Sequence, residues 1–191
     1  MVERQFVRRG VVMTRTDRIS LPLGFDVPEG WLAVEPEAVG AGGAAFVAIR
    51  PDSVQSLGGN FTPTITVSVA NRPDSASLLG IADEAVTRLG RTMAELDVLS
   101  RQEGAGEVTQ VLRIVTPAGL ELAQSQVHLV IPGANGLADR VVVELACTST
   151  PQQAASAVGE FQRFVASFHV RSPAAVQPSG NNSAENKEYP Q

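Results

Sequence analysis

Cysteine occurs once in this 191-residue chain, at Cys147, and lysine once, at Lys187. A single thiol excludes an internal disulfide and any zinc site built on paired cysteines. Cys147 closes the apolar run that starts at Val141, the setting of a small buried hydrophobe. The other fourteen cationic side chains are arginines. That bias has no physical requirement in a fold and points to a GC-rich bacterial genome. Positive charge is scarce overall, with a formal charge of −5 and an isoelectric point near 5.1. A nucleic-acid binder needs a basic stripe to displace counterions from phosphates, so that class is excluded. Long apolar runs are missing too. The apolar-leaning stretch near the N-terminus, Gly10 to Met13, is shorter than the roughly 7–15 residues of a secretory core, and no run approaches the ~18 of a membrane span. A cytoplasmic location without a membrane span is expected.

Catalytic signatures are equally thin. There is no Gly-x-Ser-x-Gly elbow and no His-Glu-x-x-His helix. The Gly-Ala-Gly-Gly at 40–43 lacks the flanking strand, helix and Lys-Ser/Thr of a phosphate loop. Asp26, Glu29, Glu35 and Glu37 cluster in sequence without the ordered spacing of a calcium loop. Asp83 and Glu84 are adjacent on a predicted helix and so point different ways, as on a solvated face. The two histidines are His128, read as solvent-facing, and His169, placed to interact with the end of the last helix. No catalytic residue, cofactor site or metal site is assigned.

What the chain does carry is periodicity, organised around residues 61–100. Ile65, Val67 and Val69 alternate with Thr64, Thr66 and Ser68, the period of a half-buried strand. After a turn at Asn71–Asp74, Leu78, Ala82, Ala85, Val86, Leu89 and Met93 mark one face of a helix, capped by Asp74 or Ser75. Earlier, Ile19–Val27 reads as a strand. A Pro28-Glu29-Gly30-Trp31 turn, a short strand from Leu32 to Glu35 and another from Ala44 to Arg50 follow. Later strands are expected at Leu96–Gln102, Val108–Val115, Leu120–Ile131 and Asp139–Thr148, the second and third joined about Thr116–Gly119. A final helix opens with Thr150, Pro151 and Gln153, a capping box, and presents Ala154, Val158, Phe161, Val165 and Phe168. The fold class is therefore α+β, a single domain with a largely antiparallel sheet and two main helices. Its expected divisions are a flexible basic segment at residues 1–18, where five arginines face Glu3 and Asp17, a domain at 19–171 and a disordered tail at 172–191.

Taken together, Phe25…Pro28-Glu29-Gly30-Trp31, Phe61-Thr62-Pro63-Thr64-Ile65 and Phe164-Val165-Ala166-Ser167-Phe168 resemble the PsbP/DcrB-like superfamily, which includes LpqN-type actinobacterial proteins. The resemblance spans roughly residues 19 to 170. It implies an antiparallel sheet with two helices and roles that are generally non-enzymatic, such as assembly factors, secretion-linked chaperones and lipoproteins. The chain departs from the lipoprotein branch, since neither a signal peptide nor a lipidated cysteine is evident.

Two functions follow as expectations. The first is a non-enzymatic, cytoplasmic protein-binding module, an adaptor or chaperone for a secretion or envelope partner. The second is a small-molecule carrier or enzyme using a cleft beside Trp31. For the first, alternation assigns Leu112, Ile114, Val127, Leu129, Val141, Val143 and Leu145 to one sheet face. Thr109, Arg113, Gln124, Gln126, His128, Glu144 and Thr148 go to the opposite, partner-binding side. The tail's Pro, Ser, Asn and Glu content cannot offset an ordering cost of ~1–2 kcal/mol per residue. Deleting residues 174–191 is therefore expected to leave the thermal midpoint unchanged; a fall of many degrees would show that the tail docks.

Overall fold

A computed structural model describes residues 9–16, 19–51, 61–133 and 136–170. The expected tail, the rest of the segment 1–18, most of the loop at 51–60 and residues 134–135 of the turn before the last long strand lie outside the described residues. Within the segment expected to be flexible, Arg9–Thr16 forms strand β1, paired antiparallel along its length with β2, Ile19–Asp26. The chain continues through β3 (Leu32–Val34), a 3-10 turn (Pro36–Val39), β4 (Phe46–Ile49), β5 (Thr64–Asn71) and helix α1 (Leu78–Gly90). Then come β6 (Glu95–Gly104), β7 (Glu107–Val115), β8 (Glu121–Gly133), β9 (Gly136–Ser149), helix α2 (Pro151–Ser167) and β10 (His169–Val170). The strands build a seven-stranded sheet in the order β3-β4-β5-β9-β8-β7-β6 and a three-stranded sheet β1-β2-β10.

The two helices pack on opposite faces of the large sheet. On one face, Phe161, Phe164 and Ala157 of α2 meet Ile65, Val67, Val143, Leu145 and Cys147, with Leu23 and Phe25 of β2 joining from the side. Phe25 is the hub of an aromatic cluster, its ring centroid 4.7 Å from Phe46 and 5.1 Å from Phe164. The residues that carry the family resemblance are thus largely packing partners. On the other face, Val86, Leu89 and Met93 surround Leu112, Ile114 and Leu122. Cys147 is buried as expected, and burial, helped by Glu160, pushes its thiol up to about 12.

Local signals explain most boundaries. Trp31 N–H closes on the Pro28 carbonyl, and Gly30 at φ 80° occupies the left-handed corner that such a turn demands. The capping box of α2 is formed, with the Thr150 N–H donating to Gln153 Oε1. The cap of α1 is Ser77, whose hydroxyl accepts from Gly80 N–H, rather than Asp74 or Ser75. Asp74 is engaged elsewhere, accepting from Ala76 N–H and from Arg72, and so holds the preceding turn. The buried stripe of α2 is also rotated from the expected one. Gln153, Ala157, Phe161 and Phe164 point inward, while Ala154, Val158, Val165 and Phe168 form a half-buried flank. Gln153 is drawn in because its amide also donates to the Phe61 carbonyl, and Phe164 because it completes the aromatic cluster.

Trp31 is 3% exposed within the α2-side core, and its Nε1–H donates to Glu160 at 2.8 Å, with Arg50 pairing the same carboxylate at 2.9 Å. A ring so enclosed has no open face for stacking a ligand, and it serves as a core anchor. Trp31→Ala is expected to cost about 3–5 kcal/mol in urea unfolding. Trp31→Phe, which keeps most of the apolar contact, is expected to cost less. A near-wild-type Ala variant would place the ring outside the core.

Candidate functional site

Strand register decides which of the candidate residues meet. In the β7–β8 pair, Thr109 faces Val127, Gln110 faces Gln126, Leu112 faces Gln124 and Arg113 faces Ala123. Directly paired residues share a sheet face. The expected surface therefore divides in two. Gln124, Gln126, His128, Glu144 and Thr148 lie on the α1 side, together with Leu112 and Ile114. Thr109 and Arg113 lie on the α2 side with Val127 and Leu129. The expected assignment of β7 was displaced by one residue, and with a period of two that exchanges its faces. The missing signal was in the turn. Val115 pairs with Glu121 across the Thr116–Gly119 turn, and counting outward from that pair yields the observed register.

On the α1 side, four of the candidates lie in a polar ladder beneath the helix. Gln110 and Gln126, each almost wholly buried, are joined by a 2.5 Å bond from Gln110 Nε2 to Gln126 Oε1. Gln126 Nε2 donates to Gln124 Oε1, and Gln124 Nε2 donates to the Thr148 hydroxyl. Ion pairs surround α1 and its approach, and one of them also reaches the ladder. Arg101 reaches both Gln110 and Asp83, Arg88 pairs with Glu144, and Arg72 bridges Asp74 and Glu84. Asp83 and Glu84 thus point different ways, each to its own arginine.

His128 is 0% exposed, not solvent-facing as its strand alternation suggested, because α1 covers that face. Its Nε2 lies 3.3 Å from Gln126 Oε1. An amide oxygen only accepts, so Nε2 carries the proton and Nδ1 keeps a bare lone pair. Nδ1 is buried without a partner among the described residues. A second proton there would be an unsolvated charge, so burial holds His128 below its ordinary value of 6.5, against the opposing pull of Glu144. His169 is exposed, and its Nδ1 donates to the Ser167 carbonyl at the end of α2. Neither ring forms a base–nucleophile pair through these bonds. Among the described residues, no three His, Cys, Asp or Glu side chains gather to hold a metal ion.

On the α2 side, the sheet extends past its helix. The helix rests on β8, β9 and β2, whereas Thr109, Val111 and Arg113 of β7 and Ala123 and Ser125 of β8 form a half-buried strip beside it. Arg113 sits amid three carboxylates, Glu121 at 2.7 Å, Glu95 at 3.0 Å and Asp97 at 3.1 Å. Those bonds raise its already high pKa, so the guanidinium is permanently charged. Glu95, Asp97 and Glu121 were not singled out in the sequence, because they come from two strands that flank β7.

A large antiparallel sheet between two helices, with a three-stranded sheet beside one of them, defines the PsbP/LpqN-like fold, an α+β architecture. The crystal structure of LpqN, involved in cell envelope biogenesis of Mycobacterium tuberculosis, matches with a TM-score of 0.57 at 14% identity, over 88% of this chain and 93% of that one. The solution structure of cyanobacterial PsbP (CyanoP) from Synechocystis sp. PCC 6803 matches with a TM-score of 0.51 at 15% identity, over 78% and 86% of the two chains. At such identities the likeness is one of fold. No protein-family model matches the sequence, and no curated protein matches it either. Among the described residues no helix is long and apolar enough to cross a membrane.

Burial of neutral His128 has a consequence for stability. The unfolded chain binds a proton near pH 6.5 that the folded chain resists, so stabilisation present above that pH is lost as pH falls through the window below it. The slope for one proton is at most about 1.4 kcal/mol per pH unit. Urea unfolding of the wild type should weaken from pH 7.5 to 5, and His128→Leu should flatten that dependence. An equally steep profile in the variant would assign the titration to another group.

Proposed function

We propose that this chain is a non-enzymatic protein-binding module whose working surface is the uncovered strip of β7 and β8 beside α2. The observation that supports it is the half-buried platform of Thr109, Val111, Arg113, Ala123 and Ser125, carried on strands whose opposite face is packed under α1. A rigid sheet with small side chains at its centre and a charged group at its margin suits a flat protein contact. The candidates on the α1 side, Gln124, Gln126, His128 and Glu144, then act indirectly, by fixing the register and rigidity of that platform. In this reading the protein serves as an adaptor or chaperone for a secretion or envelope partner, in the cytoplasm. The second reading, a carrier or enzyme at a cleft near Trp31, has less support, since that ring is enclosed in the core.

A photo-crosslinking side chain placed at Val111 in the native host should capture one protein partner in stoichiometric amount. The same group at Gln162, on the exposed side of α2, should not. In a pull-down with that partner, Val111→Arg, a bulky positive charge at the centre of the strip, is expected to weaken binding at least tenfold, a loss of about 1.4 kcal/mol, while Arg163→Glu leaves it intact. Equal capture at both positions, or a stoichiometric small molecule in native mass spectrometry of the purified chain, would overturn the reading.

A further inference from the structure

The seven-stranded sheet ends at β6, and that edge differs from the rest of the surface in two independent ways. The first is apolar. The β6–β7 ladder shifts register between Val98 and Ser100, so Leu99 is an extra, unpaired residue. Leu99 is 61% exposed, the most exposed large apolar side chain among the described residues, and Val98 beside it is 42% exposed. The second is electrostatic. Strands β6, β7 and β8 carry Glu95, Asp97, Glu103, Glu107 and Glu121 against Arg101 and Arg113. Arg101 is spent on Asp83 of α1, which leaves Arg113 alone to offset five carboxylates. Three of those surround it and extend into solvent beyond it.

We propose that the β6 edge docks a basic segment of a partner protein, with an apolar side chain of that segment packed on Val98 and Leu99. This rests on the binding-module reading and adds the partner's chemistry. An edge strand leaves alternate backbone N–H and C=O groups open to another extended chain. The bulge divides this edge into the short runs 95–98 and 100–104, which accept a short segment and oppose unlimited sheet growth. The excess negative charge selects lysine and arginine and repels phosphate-rich surfaces. A second copy is a poor occupant. Antiparallel self-pairing about Leu99 sets Glu95 against Glu103, and Asp97 against an Arg101 already held by Asp83 and Gln110.

The test uses the full chain, labelled with nitrogen-15, and three short synthetic peptides of alternating leucine and lysine, leucine and glutamate, or serine and lysine. The leucine–lysine peptide is expected to shift the amides of β6 saturably and at least tenfold more tightly than either other peptide. Salt should weaken it, since raising ionic strength from about 0.1 to 1 M shortens the screening length from about 10 to 3 Å. Leu99→Asp, at an exposed position whose folding the same spectrum verifies, should reduce binding at least tenfold. Leu32→Asp on the opposite sheet edge should not. Equal binding of the serine–lysine peptide would reduce the effect to charge alone and overturn the proposal. Binding of the leucine–glutamate peptide at β6 would overturn the basic partner while keeping the module reading. Loss of a wild-type dimer in Leu99→Asp, seen by sedimentation, would name a second copy as occupant and also overturn it. If Val111 captures a partner while the leucine–lysine peptide bypasses β6, the edge proposal fails and the module reading stands.

Discussion

The structure depends on the burial of β9 on both of its faces. Val141, Val143, Leu145 and Cys147 face α2, while Val142 and Ala146 face the other way, and all six are buried. A strand enclosed on both sides cannot alternate with solvent, and each face needs its own cover. Helices on opposite sides of the sheet meet that requirement, while β5 and β8 pair along the two edges of the strand. Glu144 and Thr148 of the strand are half-buried, and Glu144 reaches the rim of the α1 layer, where Arg88 meets it.

The α1 layer answers a different problem. Its sheet face presents Gln110, Gln124, Gln126 and His128 as well as Leu112 and Ile114. Burying amides is costly unless each donor and acceptor is used, and the ladder from Gln110 to Thr148 uses them in sequence. His128 is where the accounting fails to close, with one ring nitrogen satisfied and the other bare. A polar layer of this kind fixes strand register more narrowly than an oily one, because a slip of one residue would break every link in the ladder.

The open part of the sheet follows from the same geometry. Helix α2 is anchored toward β2, β3 and β4 by the bonds of Glu160 and Ser156 to Trp31 and Arg50, and by Ser167 to the Asp26 N–H. With the helix held on that side, the α2-facing residues of β7 and β6 extend beyond its reach. The aromatic cluster thus lies toward one side of the large sheet, and the candidate contact surface toward the other.

Much of this was determined by the sequence alone. The alternation of Ile65, Val67 and Val69, the Pro28–Trp31 turn and the Thr150–Gln153 capping box each act over a few residues, so their outcome is written locally. The α+β class and the placement of the long strands follow from such signals. The β7–β8 register was not read correctly from the Thr116–Gly119 turn, because flanking it with Val115 and Leu120 falls one residue short of the observed Val115–Glu121 pair, and one residue exchanges the faces of Thr109 and Arg113. Tertiary structure alone decided the rest. Whether His128 meets water depends on a helix some forty residues earlier in the chain, since strand alternation names a face without saying what covers it. The company of Arg113 depends on carboxylates from both neighbouring strands, and the exposure of Leu99 on a bulge that no local pattern announces. Such features arise from which surfaces meet after folding, and distant packing sets them where local propensity has no say.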